Sequence, residues 1–310
     1  MNIIEYLSSK LLMDHDDIVK FSNSAPYRYK VYQIPKRNSS NKRTIAQPSK
    51  ELKFLQKLLC QILEKELPVH EAAFAYRKNI GIKQNAFLHS KNEFLLKMDF
   101  KDFFPSITPD LFLREIKNHH INVNDKDERL LINLIFRKPY RQNNLELSIG
   151  APSSPLISNF IMYSFDEEIS RECANMNITY TRYADDISFS TNSKGALFSI
   201  PGIVETLLKN IYQGDISLNK DKTIFSSKAH NRHITGITLS NDNKLSIGRY
   251  KKRVLSSKIH YYSLGHLNED EIQKLKGELA FSFYIEPELK SRFIRKYGSE
   301  CLGKLVREIE

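Results

Sequence analysis

Two adjacent carboxylates, Asp185 and Asp186, stand in the tetrapeptide Tyr183-Ala184-Asp185-Asp186 between two runs that read as β-strands. Upstream, Ile178 to Arg182 is rich in β-branched and aromatic residues. Downstream, Ile187-Ser188-Phe189-Ser190 alternates apolar and polar, so the pair predicts a hairpin with both acids at its turn. Neighbouring carboxylates repel each other, and a turn that carries them calls for a cation or a basic group to neutralise the charge. Mg²⁺ suits such a site because it takes a few hard oxygen ligands together with substrate phosphates. A third acid, Asp99, ends the mostly apolar run from Phe94 to Met98. If that strand lies beside the hairpin, Asp99, Asp185 and Asp186 converge on two metal ions roughly 3.5–4 Å apart, the arrangement used for in-line phosphoryl or nucleotidyl displacement. Asp-Asp is common in turns for conformational reasons alone, but the strand context and Asp99 favour the metal reading.

The elements that must position these acids are legible around them. Phe100-Lys101-Asp102-Phe103-Phe104-Pro105-Ser106 reads as a compact turn bearing two adjacent rings, and Thr108-Pro109-Asp110 opens a helix with Thr108 as its N-cap. Glu51 to Leu67 carries Leu52, Leu55, Leu58, Leu59, Ile62 and Leu63 at helical spacing, with Pro68 ending it. Tyr27 to Ile34 predicts a strand and Arg37 to Arg43 a polar loop. Ser153-Ser154-Pro155 starts a helix over Leu156 to Ile169, whose amino-terminal amides suit phosphate. Farther on, Ile234 to Ile247 predicts a hairpin turning at Asn241-Asp242-Asn243, and Glu269 to Phe283 and Pro287 to Arg307 predict helices.

Composition narrows the partners. The chain has 310 residues, 41% of them apolar, enough for about two structural units, and its net charge of +11 points to a polyanion. Between Leu218 and His260 basic residues exceed acidic ones by eight, and Tyr250, Tyr261 and Tyr262 interleave with them. Such a surface suits phosphates and bases, with affinity that falls with salt. Cys60, Cys173 and Cys301 are too few and too scattered for a disulfide framework or a zinc site. No targeting segment or membrane-length apolar run is found, so a cytoplasmic protein is expected.

Asp99 with Phe103-Phe104, together with Tyr183-Ala184-Asp185-Asp186, resembles the palm of a reverse transcriptase. The resemblance extends over most of the chain. Arg43-Thr44-Ile45 with Pro48, Leu52 and Gln56 is similar to the first fingers motif, Gly150 to Pro155 to the loop beside the nucleotide, and Leu218 to Thr223 to the motif whose lysine lies near the triphosphate. Asn85-Ala86-Phe87-Leu88-His89 and Ile234-Thr235-Gly236 resemble two short signatures of the bacterial retron branch. One departure is Ser148-Ile149 where many relatives carry Pro-Gln, which removes a glutamine contact to the incoming nucleotide.

The resemblance implies an α+β, right-hand polymerase fold with fingers, an antiparallel-sheet palm and a small helical thumb. Expected boundaries are an amino-terminal helical extension over 1–26, fingers and palm over 27–240, and a thumb and RNA-binding region over 241–310. It implies a retron-type RNA-directed DNA polymerase that copies part of a cognate structured non-coding RNA into branched multicopy single-stranded DNA, in antiviral defence. Alternatives are another bacterial reverse transcriptase, group II intron-like or diversity-generating, an RNA-templated RNA polymerase, or a catalytically silent RNA-binding scaffold. Implied metal ligands are Asp99, the Phe100 backbone carbonyl, Asp185 and Asp186, holding two Mg²⁺ ions, with Mn²⁺ as a substitute. Implied nucleotide contacts are Arg43, Arg77, Asp102, Phe103, Lys222 and Phe104, whose ring lies below the sugar and excludes a ribose 2′-hydroxyl. Asn85, His89, Thr235, Gly236, Arg249, Lys251, Lys252 and Arg253 are expected to contact RNA. Deoxynucleoside triphosphates, the RNA and its DNA product, a separately encoded effector and a host ribonuclease H complete the expected partners, since nothing in the chain resembles a ribonuclease H module.

Overall fold

A computed structural model describes residues 2–35 and 42–306. Helices α1 (Ile3–Leu11) and α2 (His15–Ser24) pack their apolar faces, through Ile3, Leu7 and Ile18, into the main core. Strands β1 (Tyr29–Pro35) and β2 (Lys42–Pro48) form an antiparallel ribbon with Ile34 opposite Arg43. The expected polar loop lies mostly outside the described residues, because β2 already begins at Lys42. Helix α3 (Lys50–Glu66), capped by the Ser49 side chain, buries Leu52, Leu55, Leu59 and Leu63 as its spacing predicts.

Helix α4 (Ile82–His89) precedes strand β3 (Phe94–Asp99). A short turn of helix, α5 (Phe103–Ser106), then leads to α6 (Pro109–Asn118), which starts as expected with the Thr108 hydroxyl accepting from the Leu111 amide. Helix α7 (Asp125–Ile135) and the two-residue strands β4 (Phe136–Arg137) and β5 (Glu146–Leu147) follow. The single helix expected from Leu156 to Ile169 is instead two, α8 (Ser154–Ile161) and α9 (Tyr163–Asn175), because Met162 leaves helical geometry with ψ near 0°.

Strands β6 (Thr179–Tyr183) and β7 (Asp186–Thr191) form the expected hairpin. Helix α10 (Ile200–Tyr212) connects it to β8 (Ile224–Ser227), and the sheet runs β6-β7-β3-β8, all antiparallel. Its two faces follow the twofold alternation of strands. Leu96, Met98, Tyr180, Ile187 and Phe189 enter the main core with α3, α6, α8 and α9, whereas Leu95 joins a second cluster.

That second cluster holds most of the chain after residue 233. Strands β9 (Arg232–Ile234), β10 (Ile237–Leu239) and β11 (Leu245–Ser246) form a small sheet, so the expected hairpin gains a third strand through the turn at Thr235-Gly236. Helices α11 (Arg249–Ser263), α12 (Glu269–Ile285), α13 (Glu288–Tyr297) and α14 (Ser299–Val306) complete it. The last two replace one expected helix because Gly298 takes φ +87°, which a side chain resists. No helix among the described residues is long and apolar enough to cross a membrane.

One buried ion pair ties the hairpin to the helices beneath it. Arg182 in β6 and Asp166 in α9 are both fully buried, with Nη2 to Oδ2 at 2.6 Å and Nε to Oδ1 at 2.9 Å, and the Tyr180 hydroxyl donates to the same carboxylate at 2.7 Å. Removing one charge from such a pair leaves the other desolvated and uncompensated. Asp166→Asn is therefore expected to cost about 3–5 kcal/mol in urea unfolding. Breaking the exposed Arg171–Glu168 pair on the same helix should change stability little.

Candidate active site

The three acids lie at one end of the four-stranded sheet. In the β3–β7 register Asp99 is directly opposite Asp186, and Asp185 occupies the two-residue turn of the hairpin. Ala184 supports that turn with φ +57°, a left-handed conformation uncommon outside glycine, and its carbonyl accepts from Arg182 Nη1 at 3.3 Å. The Phe100 amide donates to the Asp185 carbonyl at 3.1 Å, and the Asn219 amide donates to the Asp99 carbonyl at 2.8 Å. Backbone contacts thus fix the end of β3, the hairpin turn and the loop before Lys222 to one another.

Their charges are poorly compensated. The Asp186 carboxyl is pushed up to about 6, first by desolvation, then by Asp185 and Asp99, with Lys222 and Lys97 opposing. Asp185 is raised for the same leading reason and by Asp99, with Lys222 and Arg43 acting against it. Asp99 is held by the Lys222 ammonium, whose Nζ reaches both carboxylate oxygens at 2.8 Å. No three His, Cys, Asp or Glu side chains among the described residues are arranged to hold an ion without movement. The donor set itself is three hard oxygen ligands at adjoining strand ends, which suits a divalent cation after side-chain rotation.

Asp99 and Asp185 line a cleft of about 670 Å³ together with Arg43, Phe100, Asp102, Phe103, Phe104 and Lys222. Asp102 takes φ +44° at the start of α5, and Phe103 is buried against Phe100 with ring centroids 5.4 Å apart. Phe104 is half-buried at the cleft wall, which Gly150 to Pro152 also line. Gly150 has φ +126°, and a Cβ there would lie 3.1 Å from the Ala46 carbonyl, so glycine is required for this loop to meet β2. Ile149 also lines the cleft, and its carbonyl accepts from the Ala46 amide.

Several expected contacts are placed elsewhere. Arg77 does not line the cleft; its Nη1 donates to the Glu71 and Ala73 carbonyls at 3.0 and 3.2 Å, bracing the loop before it. Asn85 and His89 are buried and correct the expectation of RNA contact. The His89 ring nitrogens meet Ser190 Oγ at 2.6 Å and Thr181 Oγ1 at 2.8 Å, so the residue seats α4 against the acid-bearing hairpin. Burial drives its pKa down to about 3, leaving it neutral. Lys252 pairs with Glu286 at 2.6 Å, itself nearly buried, which removes it from the free basic face. Arg249, Lys251 and Arg253 are exposed on α11, and Lys251 Nζ lies 3.5 Å from the Gly236 carbonyl. Thr235 takes φ +46° with its hydroxyl buried and without a partner among the described residues.

Sequence reasoning missed Lys53, Tyr76, Arg137 and Glu146, all in the cleft lining. Arg137 and Glu146 form an ion pair across β4 and β5, a pairing that cross-strand register reveals only once those short strands are known.

A sequence profile described as Reverse transcriptase (RNA-dependent DNA polymerase) matches residues 34–239. The Retron Ec83 reverse transcriptase of Escherichia coli is 40% identical over 309 residues, covering 99% of this chain and 98% of that one. The Retron Ec73 reverse transcriptase, also from Escherichia coli, is 33% identical over 308 residues, covering 97% and 96%. Among solved structures, apo telomerase from Candida tropicalis is similar in fold, with a TM-score of 0.50 at 11% identity, covering 93% of this chain and 67% of that one.

The raised Asp186 carboxyl carries a stability consequence whose sign is fixed. Its neutral form is favoured in the folded state, so the metal-free fold loses stability as pH rises from about 4, the ordinary carboxylate value, to about 6 and carries the full penalty above that. Asp186→Asn should raise the melting temperature of the metal-free protein by roughly 1–2 °C at pH 7.5. The gain should shrink as pH falls through about 6 and vanish below about pH 4, the ordinary carboxylate range. Differential scanning calorimetry across that range checks both statements.

Proposed function

The chain belongs to the retron reverse transcriptases and is an RNA-directed DNA polymerase with the right-hand polymerase fold, and on that premise we propose how its residues carry the reaction. The observation that supports the assignment of the centre is the register that sets Asp99 opposite Asp186, with Asp99 and Asp185 lining a cleft bordered by Arg43 and Lys222. A hydroxyl of the growing strand attacks the α-phosphorus of a deoxynucleoside triphosphate, a new phosphodiester forms, and pyrophosphate leaves. Divalent ions, taken as two Mg²⁺ with Mn²⁺ as a substitute, would lower the pKa of that hydroxyl and neutralise the leaving pyrophosphate.

The chain's own residues do the rest. Asp99 and Asp185 would supply the principal oxygen ligands, with Asp186 and the Phe100 carbonyl completing the set. Lys222, which lies on Asp99, would turn its ammonium to the triphosphate once Asp99 held a cation, and Arg43 would grip the same phosphates from β2 with its planar donor fork. The amides of Asp102 and Phe103 donate to phosphate oxygens. Phe104 fills the space below the sugar, so a ribose 2′-hydroxyl meets its ring. Ile149 offers no side-chain hydrogen bond to the nucleotide and contributes an apolar wall.

The RNA contacts we assign to the Thr235-Gly236 turn and to Arg249, Lys251 and Arg253 on α11. Neutralising phosphates there gives binding that weakens with salt. The substrate is a cognate structured non-coding RNA, primed from a guanosine 2′-hydroxyl and copied into branched single-stranded DNA. A host ribonuclease H trims the template, and a separately encoded effector joins the complex in antiviral defence. The family resemblance supports these last assignments.

Three measurements test the reading. Asp185→Asn with Asp186→Asn should abolish DNA synthesis while RNA binding persists, and synthesis retained by that variant contradicts the metal assignment. Phe104→Ala should admit ribonucleotides at least tenfold better, a change of about 1.4 kcal/mol in discrimination; unchanged sugar selectivity removes its role. Nucleic acid extracted from protein expressed with its native flanking DNA should contain DNA joined to RNA by a 2′,5′ link, sensitive to debranching, whereas only linear complementary DNA contradicts the retron-type product.

A further inference from the structure

Tyr76 is an aromatic residue of the cleft that neither the resemblance nor the mechanism above uses. Its side chain is half in solvent, with 53% of the residue exposed, yet it lines the cleft alongside Asp185 and Arg43. No other ring among the described residues stacks on it. Its backbone takes φ +63°, a left-handed conformation that bulky residues avoid. Strain of this kind persists only where the surroundings over-determine it, and it gathers at sites of function.

Here the surroundings are specific. The segment before Tyr76 is bolted to the catalytic hairpin: the Arg182 amide donates to the Ala72 carbonyl at 2.8 Å, and the Phe74 amide donates to the Arg182 carbonyl at 2.7 Å. Asn159 Nδ2 donates to the Ala75 carbonyl at 3.0 Å, and Asn159 Oδ1 in turn accepts from Arg182 Nη1. On the other side the Arg77 guanidinium clasps the Glu71 and Ala73 carbonyls. Buried alanines at 72, 73 and 75 allow this close approach. The result is an aromatic ring held rigidly at the junction between the β1–β2 ribbon and the acid-bearing turn, and facing open space. The Tyr76 phenol lies above its ordinary range, chiefly through desolvation and then through Asp185 and Tyr183, which keeps it a neutral hydroxyl.

We propose that the Tyr76 ring is a stacking surface for a nucleobase at the polymerase centre. An aromatic face suits any base, which matches an enzyme that must copy all four. The base comes either from the primed RNA template or from the incoming nucleotide. The inference rests on the polymerase reading given above and adds a residue to it.

The chain contains no tryptophan, so Tyr76→Trp introduces a single indole at the site. Its fluorescence should be quenched by a nucleobase. Quenching on addition of a primed RNA template alone identifies the template–primer as the source. Quenching that appears only after a complementary deoxynucleoside triphosphate is added to a chain-terminated primer identifies the nucleotide. Unchanged emission in both steps, with labelled-duplex anisotropy showing full binding, overturns the proposal.

Tyr76→Gly separates contact from architecture, because glycine accepts the left-handed φ without strain. That variant should melt no lower than the wild type, yet bind the primed template or the nucleotide about tenfold more weakly, as loss of one stacking contact entails. Tyr76→Phe should bind as the wild type. Wild-type affinity for both ligands in Tyr76→Gly overturns the Tyr76 assignment alone, whereas failure of the wild-type chain itself to bind primed RNA contradicts the polymerase reading beneath it.

Discussion

The Arg182 guanidinium, buried and shared among three acceptor groups, is the interaction on which the geometry of the acid-bearing turn depends. It pairs with Asp166 on α9, donates to Asn159 on α8, and donates to the carbonyl of Ala184 inside the acid-bearing turn. Desolvating a guanidinium is costly, and the fully buried Asp166 carboxylate together with the oriented oxygens offsets that cost only in this arrangement. Because the same residue's backbone pairs with the segment from Ala72 to Phe74, one side chain and two peptide groups register the hairpin, two helices and the loop carrying Tyr76. A two-residue turn with a left-handed alanine and adjacent carboxylates is held from beneath by this network.

Electrostatics at the top of the sheet oppose those at its base. Beneath the turn, charge is matched and dry; at the turn, three acids are opposed by Lys222, Lys97 and Arg43. The Asp185 and Asp186 carboxyls are raised first by desolvation and then by the repulsion of neighbouring acids, which divalent cations would relieve. Lys222 moderates it by sitting on Asp99. An active centre of this type is built with uncompensated charge, and the stability lost there is supplied by the core under it.

Much of this was legible in the residues. The hairpin followed from alternation on either side of the acids, Asp99 from an apolar run ending in a charge, and the caps at Ser49 and Thr108 from their residue types. What escaped was decided by tertiary contacts. Arg77 and His89 belong to polar types that suit ligands, but backbone carbonyls capture the first, and the hydroxyls of Thr181 and Ser190 capture the second. The strand β9 is three residues long and needs β10 to exist, so periodicity could not announce it. The breaks at Met162 and Gly298 interrupt apolar patterns that continue across them, and a left-handed tyrosine at 76 has no compositional signature.

The central claim is that Asp99 and Asp185 hold the ions that drive nucleotide addition. Its most direct test is a crystal structure with Mn²⁺, a primed RNA template and a non-reactive deoxynucleotide, with anomalous scattering locating the metal. The account predicts two peaks about 3.5–4 Å apart, bridged by Asp99 and Asp185, with the Lys222 ammonium moved from Asp99 to the triphosphate. Manganese bound away from these carboxylates, with Lys222 still seated on Asp99 beside a bound nucleotide, would contradict it.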